Sequence, residues 1–159
     1  MNFLKSNQKI LTENFKCKDM AEVLYKTSIR SPNKVFIFDL NFKKKISYKK
    51  FNELVNKCCN FFFLKKVKKK DIVTIKLKNS PEFLVIYFAS LRYKSIINPI
   101  PSSITDFEFE EKIRFLKPKL IFSDNSSKIR KKNLVNLEND FKGSFLNYLD
   151  KNFSEKFNS

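Results

Sequence analysis

The chain has 159 residues, 42% of them hydrophobic, which is enough for one domain or part of one with a real core. It carries 33 Lys+Arg against 16 Asp+Glu, a formal charge of +17, and no histidine, so Ser/His/Asp and Cys/His catalysis are excluded and the commonest metal ligand is missing. Three cysteines, Cys17, Cys58 and Cys59, show no C-x-x-C spacing, which excludes a disulfide framework and fits small core thiols in a reducing cytoplasm.

Such a charge first suggests nucleic acid or an anionic surface as partner. Only four of the basic residues are arginine, however, and Lys, Asn, Phe and Ile make up about half the chain. These four share A/T-rich codons, so codon bias accounts for the composition without a polyanion and argues against a nucleic-acid partner. The densest cluster, Lys65-Lys66 and Lys68-Lys69-Lys70, sits at a helix exit, where cations suit the helix dipole.

Residues 1–17 are polar and unpatterned, a loose lead-in. Met1 to Lys16 has no apolar core of a signal peptide. Apolar Met20, Val23, Leu24 and Ile29 predict a short amphipathic helix over 19–29, capped by Asp19 and ended by Ser31-Pro32. A strand over 34–40 is predicted from Val35-Phe36-Ile37-Phe38, turning through Asn41 to Lys44 into Lys45-Ile46-Ser47. Ser47 caps the longest helix, 48–65, whose Tyr48, Phe51, Leu54, Val55, Cys58, Cys59 and Phe62 follow the i, i+3, i+4, i+7 rule.

Two strand–helix–strand crossovers follow. A strand over 71–77 stops at Asn79-Ser80-Pro81, and an apolar helix runs over 82–94. A strand over 96–100 leads to a helix opened by the capping-box pattern Thr105-Asp106-Phe107-Glu108 and stopped before Pro118, and a strand over 119–123 ends the run. Parallel strands need such crossovers, so the fold class is α/β with a mostly parallel sheet and flanking helices. The apolar run Phe83 to Ala89 is far short of the ~20 residues that span a bilayer, so a soluble cytoplasmic chain is expected. After Asp124 the pattern weakens. Asn125-Ser126-Ser127 is a loop, Lys128 to Leu137 a strand or short helix, and Phe141, Phe145, Tyr148 and Phe153 are expected as exposed surface that packs on something outside the chain.

No catalytic, cofactor-binding or metal-binding residue is assigned. Asp71 is expected as a strand-entry turn carboxylate, Asn79 and Ser80 as helix caps, Glu108 and Glu111 as first-turn helix charges, and Asn98-Pro99 as a strand exit. Phe61-Phe62-Phe63, beside Leu64-Lys65, could form a stacking platform for nucleic acid, but three aromatics in a row on a helix are expected in the core.

The cues from Phe36 to Asp124, in this order, resemble the N-terminal portion of the adenylate-forming superfamily of acyl-CoA synthetases, aryl-acid ligases, luciferases and adenylation domains. They are Ile46-Ser47-Tyr48 opening a long helix; Lys66-Val67-Lys68-Lys69-Lys70-Asp71-Ile72-Val73, where the family has glycine at positions 66 and 70; Asn79-Ser80-Pro81-Glu82; Asn98-Pro99; and Pro118-Lys119-Leu120-Ile121-Phe122-Ser123-Asp124. The resemblance covers 18–124, and 125–159 is a weakly patterned tail. It implies an AMP-forming ligase that joins ATP and a small carboxylate to an acyl-adenylate and passes the acyl group to a thiol such as coenzyme A, with ATP, Mg and coenzyme A as the cofactors of the complete enzyme. It also implies that the Gly-rich phosphate loop lies beyond Ser159, since the single glycine here, Gly143 in Phe141-Lys142-Gly143-Ser144, makes no such loop. The implied partner is the remaining AMP-binding domain. A basic non-catalytic module binding nucleic acid or anionic surfaces through lysine is the other reading.

Overall fold

A computed structural model describes residues 17–40, 43–124, 131–138, 140–141 and 144–157. The expected lead-in up to residue 16, the loop at 125–127 and Gly143 lie outside the described residues.

Helix α1 (Met20–Arg30) starts where Asp19 accepts the Glu22 backbone N–H at 2.8 Å. Its buried stripe is Ala21, Leu24 and Ser28, while Met20 and Ile29 are exposed, contrary to the predicted stripe. The reason is steric. Small side chains at 21 and 28 let α1 lie close against its neighbouring helices, and the larger ones turn outward. Strands β1 (Val35–Asp39) and β2 (Lys44–Ser47) pair as an antiparallel ribbon.

Ser47 then caps α2 (Tyr48–Leu64), accepting the Lys50 N–H at 3.2 Å, and the predicted stripe is buried from Phe51 to Phe62. Phe63 departs from expectation. It is 74% exposed, because three consecutive helical positions fan over some 200° and the core covers only part of that arc.

The remaining strands are β3 (Ile72–Lys76), β4 (Ile96–Pro99), β5 (Leu120–Ser123) and β6 (Leu134–Asn136), linked by α3 (Pro81–Tyr93) and α4 (Asp106–Leu116). They form one parallel sheet in the order β4-β3-β5-β6. The α/β class and the parallel sheet thus hold, and within the ambiguous 128–137 segment Leu134–Asn136 form a strand at the sheet edge.

The two-residue period of β3 divides the interior. Val73, Ile75 and Leu77 join the large core with Phe51, Val55, Phe62, Ile86 and Phe122, on the face that α2 and α3 cover. Thr74 and Lys76 point to the opposite face, where α4 contributes Phe109 and Ile113 against Ile100 and Ile121. No residue of α3 is exposed, as its all-round apolar sequence requires.

The tail corrects a third expectation. Helix α5 (Phe145–Asn152) folds back on α2, and Phe141, Phe145 and Leu149 are buried in the same core. Phe61 is the receptor: its ring lies 5.5 Å from Phe145, 6.0 Å from Phe153 and 6.4 Å from both Phe141 and Tyr148. Lys57, itself buried, and Lys50 both bind the Asp150 carboxylate, at 2.6 and 2.7 Å. The aromatics had a partner within the chain because α2 carries an apolar row beyond the one that meets α3.

Candidate functional site

In an open parallel sheet, ligands gather outside the carboxyl ends of the strands, at the point where the connections diverge to opposite sides. Here the chain leaves β3 for β4 on one side and returns to β5 on the other, so the divergence lies between β3 and β5. The helices confirm it, since α3 packs on one face and α4 on the other.

Two clefts meet at that end of the sheet. One, of about 600 Å³, lies between Ile37–Leu40 of the ribbon and residues 79–84 at the start of α3. The other, of about 460 Å³, lies between Leu77–Asn79 after β3 and Pro99–Ser103 after β4. Asn79 and Phe83 border both. The larger cleft has apolar walls (Ile37, Phe38, Leu40, Pro81, Phe83, Leu84) with Asp39, Asn79, Ser80 and Glu82 as its polar groups, a lining suited to an apolar moiety.

The residues weighed in the sequence take structural roles. Asp71 accepts the Lys68 backbone N–H at 2.7 Å and closes the strand-entry turn. Ser80 is the N-cap of α3, accepting the Phe83 N–H at 3.2 Å, with Pro81 behind it. Glu108 completes the capping box with Thr105, whose hydroxyl and backbone N–H hold the carboxylate below its ordinary pKa. Glu111 is paired with Arg114 at 3.0 Å, one turn further along than expected. Asn98 donates to the Thr74 hydroxyl at 3.1 Å, tying the two strands on their buried face, and Pro99 ends the edge strand. Asn79 is exposed between the clefts and does not cap the helix.

Three buried or half-buried cations escaped notice in the sequence. Lys76, the last residue of β3, is 1% exposed, with its ammonium 5.0 Å above the Phe109 ring and 3.8 Å from the Asp106 carboxylate. Its position at an even step of an apolar strand was the available signal. Arg92 binds the side-chain amides of Asn52 and Asn56, locking α3 to α2. Lys57 was hidden because its carboxylate partner lies 93 positions away.

Burial raises the Cys58 thiol well above its ordinary pKa and pushes Cys59 up to about 12, so neither serves as a nucleophile. Among the described residues, no group of three acidic, thiol or imidazole side chains is placed to hold a metal ion.

The strand order, the divergence point and the cleft define a doubly wound α/β sheet of the kind that binds a ligand at its carboxyl edge. The AMP-binding enzyme family matches residues 24–156, and the chain belongs to that family. It superposes on a fatty acyl CoA synthetase of Mycobacterium tuberculosis with a TM-score of 0.77 at 15% identity, over 89% of this chain and 30% of that one. NpsA of Klebsiella oxytoca, in complex with 3-hydroxyanthranilyl-AMSN, gives 0.69 at 20% identity, over 90% of this chain and 28% of that one. Apo MatB of Rhodopseudomonas palustris gives 0.67 at 23% identity, over 80% and 27%. At these identities the likeness establishes the fold. The chain spans less than a third of each of these proteins. No curated protein matches it by sequence, and no helix among the described residues is long and apolar enough to cross a membrane.

Proposed function

We propose that the chain is the N-terminal part of an AMP-forming ligase, with residues 18–124 as its N-terminal α/β portion and 125–159 as a tail from which β6 joins the sheet and α5 the core. The intact enzyme activates a carboxylate with ATP to an acyl-adenylate, releasing pyrophosphate, and then transfers the acyl group to a thiol such as coenzyme A. The observation that supports this reading most is the family match over 24–156, on a parallel sheet with an apolar cleft beside the carboxyl end of β3. The apolar part of a fatty or other small carboxylic acid suits the apolar walls of that cleft.

The residues present do not fit a triphosphate by themselves. The turns leaving β3 and β5 run Leu77-Lys78-Asn79-Ser80 and Ser123-Asp124, without the glycines that let consecutive backbone N–H groups surround phosphate oxygens. The nucleotide, its Mg²⁺ and coenzyme A are therefore assigned to the remaining AMP-binding domain, whether it continues this chain or is a downstream polypeptide. What this chain contributes is a wall: the ribbon and the start of α3 bound the cleft, and Ser80 and Pro81 fix the helix that forms its floor. A cytoplasmic site of action goes with the reading.

The test is complementation. The purified chain is mixed with the polypeptide that follows it in the relatives, and pyrophosphate release is followed with ATP, Mg²⁺ and a panel of carboxylic acids. The chain alone is expected to release none and the pair to respond to at least one acid. A well-folded pair that is silent across the panel overturns the proposal.

A further inference from the structure

We propose that the edge of the sheet opposite the clefts is a docking face for an anionic lipid bilayer. At that edge α2, α3 and α4 end and β3, β4 and β5 begin. Backbone bonds join the three junctions into one surface: Lys70 N–H to Lys94 O at 2.8 Å, Ile96 N–H to Asp71 O at 2.9 Å, and Lys119 N–H to Ile72 O at 2.8 Å.

Two independent features meet there. The junctions 65–70, 94–95 and 117–119 hold eight lysines, every one exposed, and no carboxylate; the adjoining Asp71 is already engaged by the Lys68 N–H. The same junctions carry four large apolar side chains that the described residues leave half or more exposed: Phe63 (74%), Leu64 (62%), Ile96 (50%) and Phe115 (85%). Phe63 and Leu64 are the last two residues of α2, and Phe115 is the last but one of α4, so they protrude beside the cations.

A bilayer surface matches both features at once. Anionic headgroups attract lysines, while the interfacial layer accepts short aromatic and aliphatic side chains to a depth of a few ångströms. Nucleic acid would use the lysines but leave Leu64 and Ile96 without a partner, because stacking calls for flat rings. Docking at this edge leaves the clefts at the far end of the strands open. The inference does not rest on the ligase reading, since its readout is vesicle binding without substrate.

The experiment is flotation of the chain with phosphatidylcholine vesicles, with and without phosphatidylglycerol. Binding is expected to the anionic vesicles and to fall steeply with salt. Near such a surface each lysine contributes about fivefold, so the triple variant Lys66→Gln, Lys69→Gln, Lys117→Gln should lose about a hundredfold. The equally neutralising Lys34→Gln, Lys45→Gln, Lys49→Gln, away from this edge, should lose far less. Phe63→Ser with Phe115→Ser should lose about tenfold while keeping the salt slope. All variants sit on exposed positions, and circular dichroism checks their folding.

Absence of binding, equal losses for the two lysine triples, or indifference to the phenylalanine substitutions overturns the proposal. So does duplex DNA bound more tightly than the anionic vesicles with the same lysine dependence, which would assign the surface to nucleic acid.

Discussion

Replacing lysine by glycine should stabilise this protein at particular positions. Lys66, Lys70, Lys94 and Lys117 have φ of 56°, 68°, 59° and 47°, in the left-handed region. Lys66 ends α2 with the two bonds of a left-handed helix terminus, its N–H to Phe63 O at 2.9 Å and the next, from Val67, to Phe62 O at 3.0 Å. Lys94 and Lys117 end α3 and α4 in the same backbone state. Glycine is the usual residue there because a Cβ meets the following carbonyl, at about 1–2 kcal/mol. Against this stands the extra freedom glycine has in the unfolded chain, about 0.5–1 kcal/mol. The balance is a gain of about 0.5–1 kcal/mol per site.

With a urea slope of about 2 kcal/mol/M, each single variant should raise the unfolding midpoint by roughly 0.25–0.5 M. Alanine at the same positions is the decisive control. It removes the charge as glycine does but keeps the Cβ, so the backbone argument requires Lys→Ala to leave the midpoint nearly where it was. If alanine stabilises as much as glycine, charge repulsion is the cause and the reasoning fails. Lys70 and Lys94 share a hydrogen bond, so their double variant need not be additive.

Three further outcomes follow from the packing. Asp150→Ala should cost roughly 1–2 kcal/mol, because buried Lys57 keeps only the Asp150 backbone oxygen at 3.2 Å; the partial exposure of Asp150 holds the figure down. Hydrogen bonds from Lys50 and Lys57 depress the Asp150 pKa, so this contribution is complete above the ordinary carboxylate range and is lost as pH falls through the depressed folded-state value. Urea midpoints measured against pH should therefore drop in acid for the parent and more shallowly for Asp150→Ala. Phe61→Ala should cost about 3–5 kcal/mol and loosen the tail, seen as faster amide exchange over 145–152. A chromogenic disulfide reagent should titrate one thiol per native chain, at Cys17, and reach Cys58 and Cys59 only on unfolding; fast reaction of three thiols would contradict their burial.

Much of the architecture was legible because it is written in short-range chemistry. Ser47, Ser80 and Thr105 announce three helices by caps that bond within three residues, and the two-residue period of Val73, Ile75 and Leu77 needs no distant information. The order of cues from Ile46 to Asp124 identified the family, since each is a cap, a turn or a short strand segment read from neighbouring residues. The cleft was less legible. Its walls come from the ribbon, from α3 and from the segment after β4, and no single stretch shows that these converge.

What the chain's own residues determined, then, is where helices and strands begin, that the strands run parallel, and to which family the whole belongs. Tertiary structure alone decided that the tail packs on Phe61, that Lys57 meets Asp150, that lysines occupy left-handed helix ends, and that eight of them share one edge with four exposed apolar side chains. The difference is physical. Caps and periodicity act over a few residues, whereas burial and charge pairing depend on which distant segments the sheet order brings together.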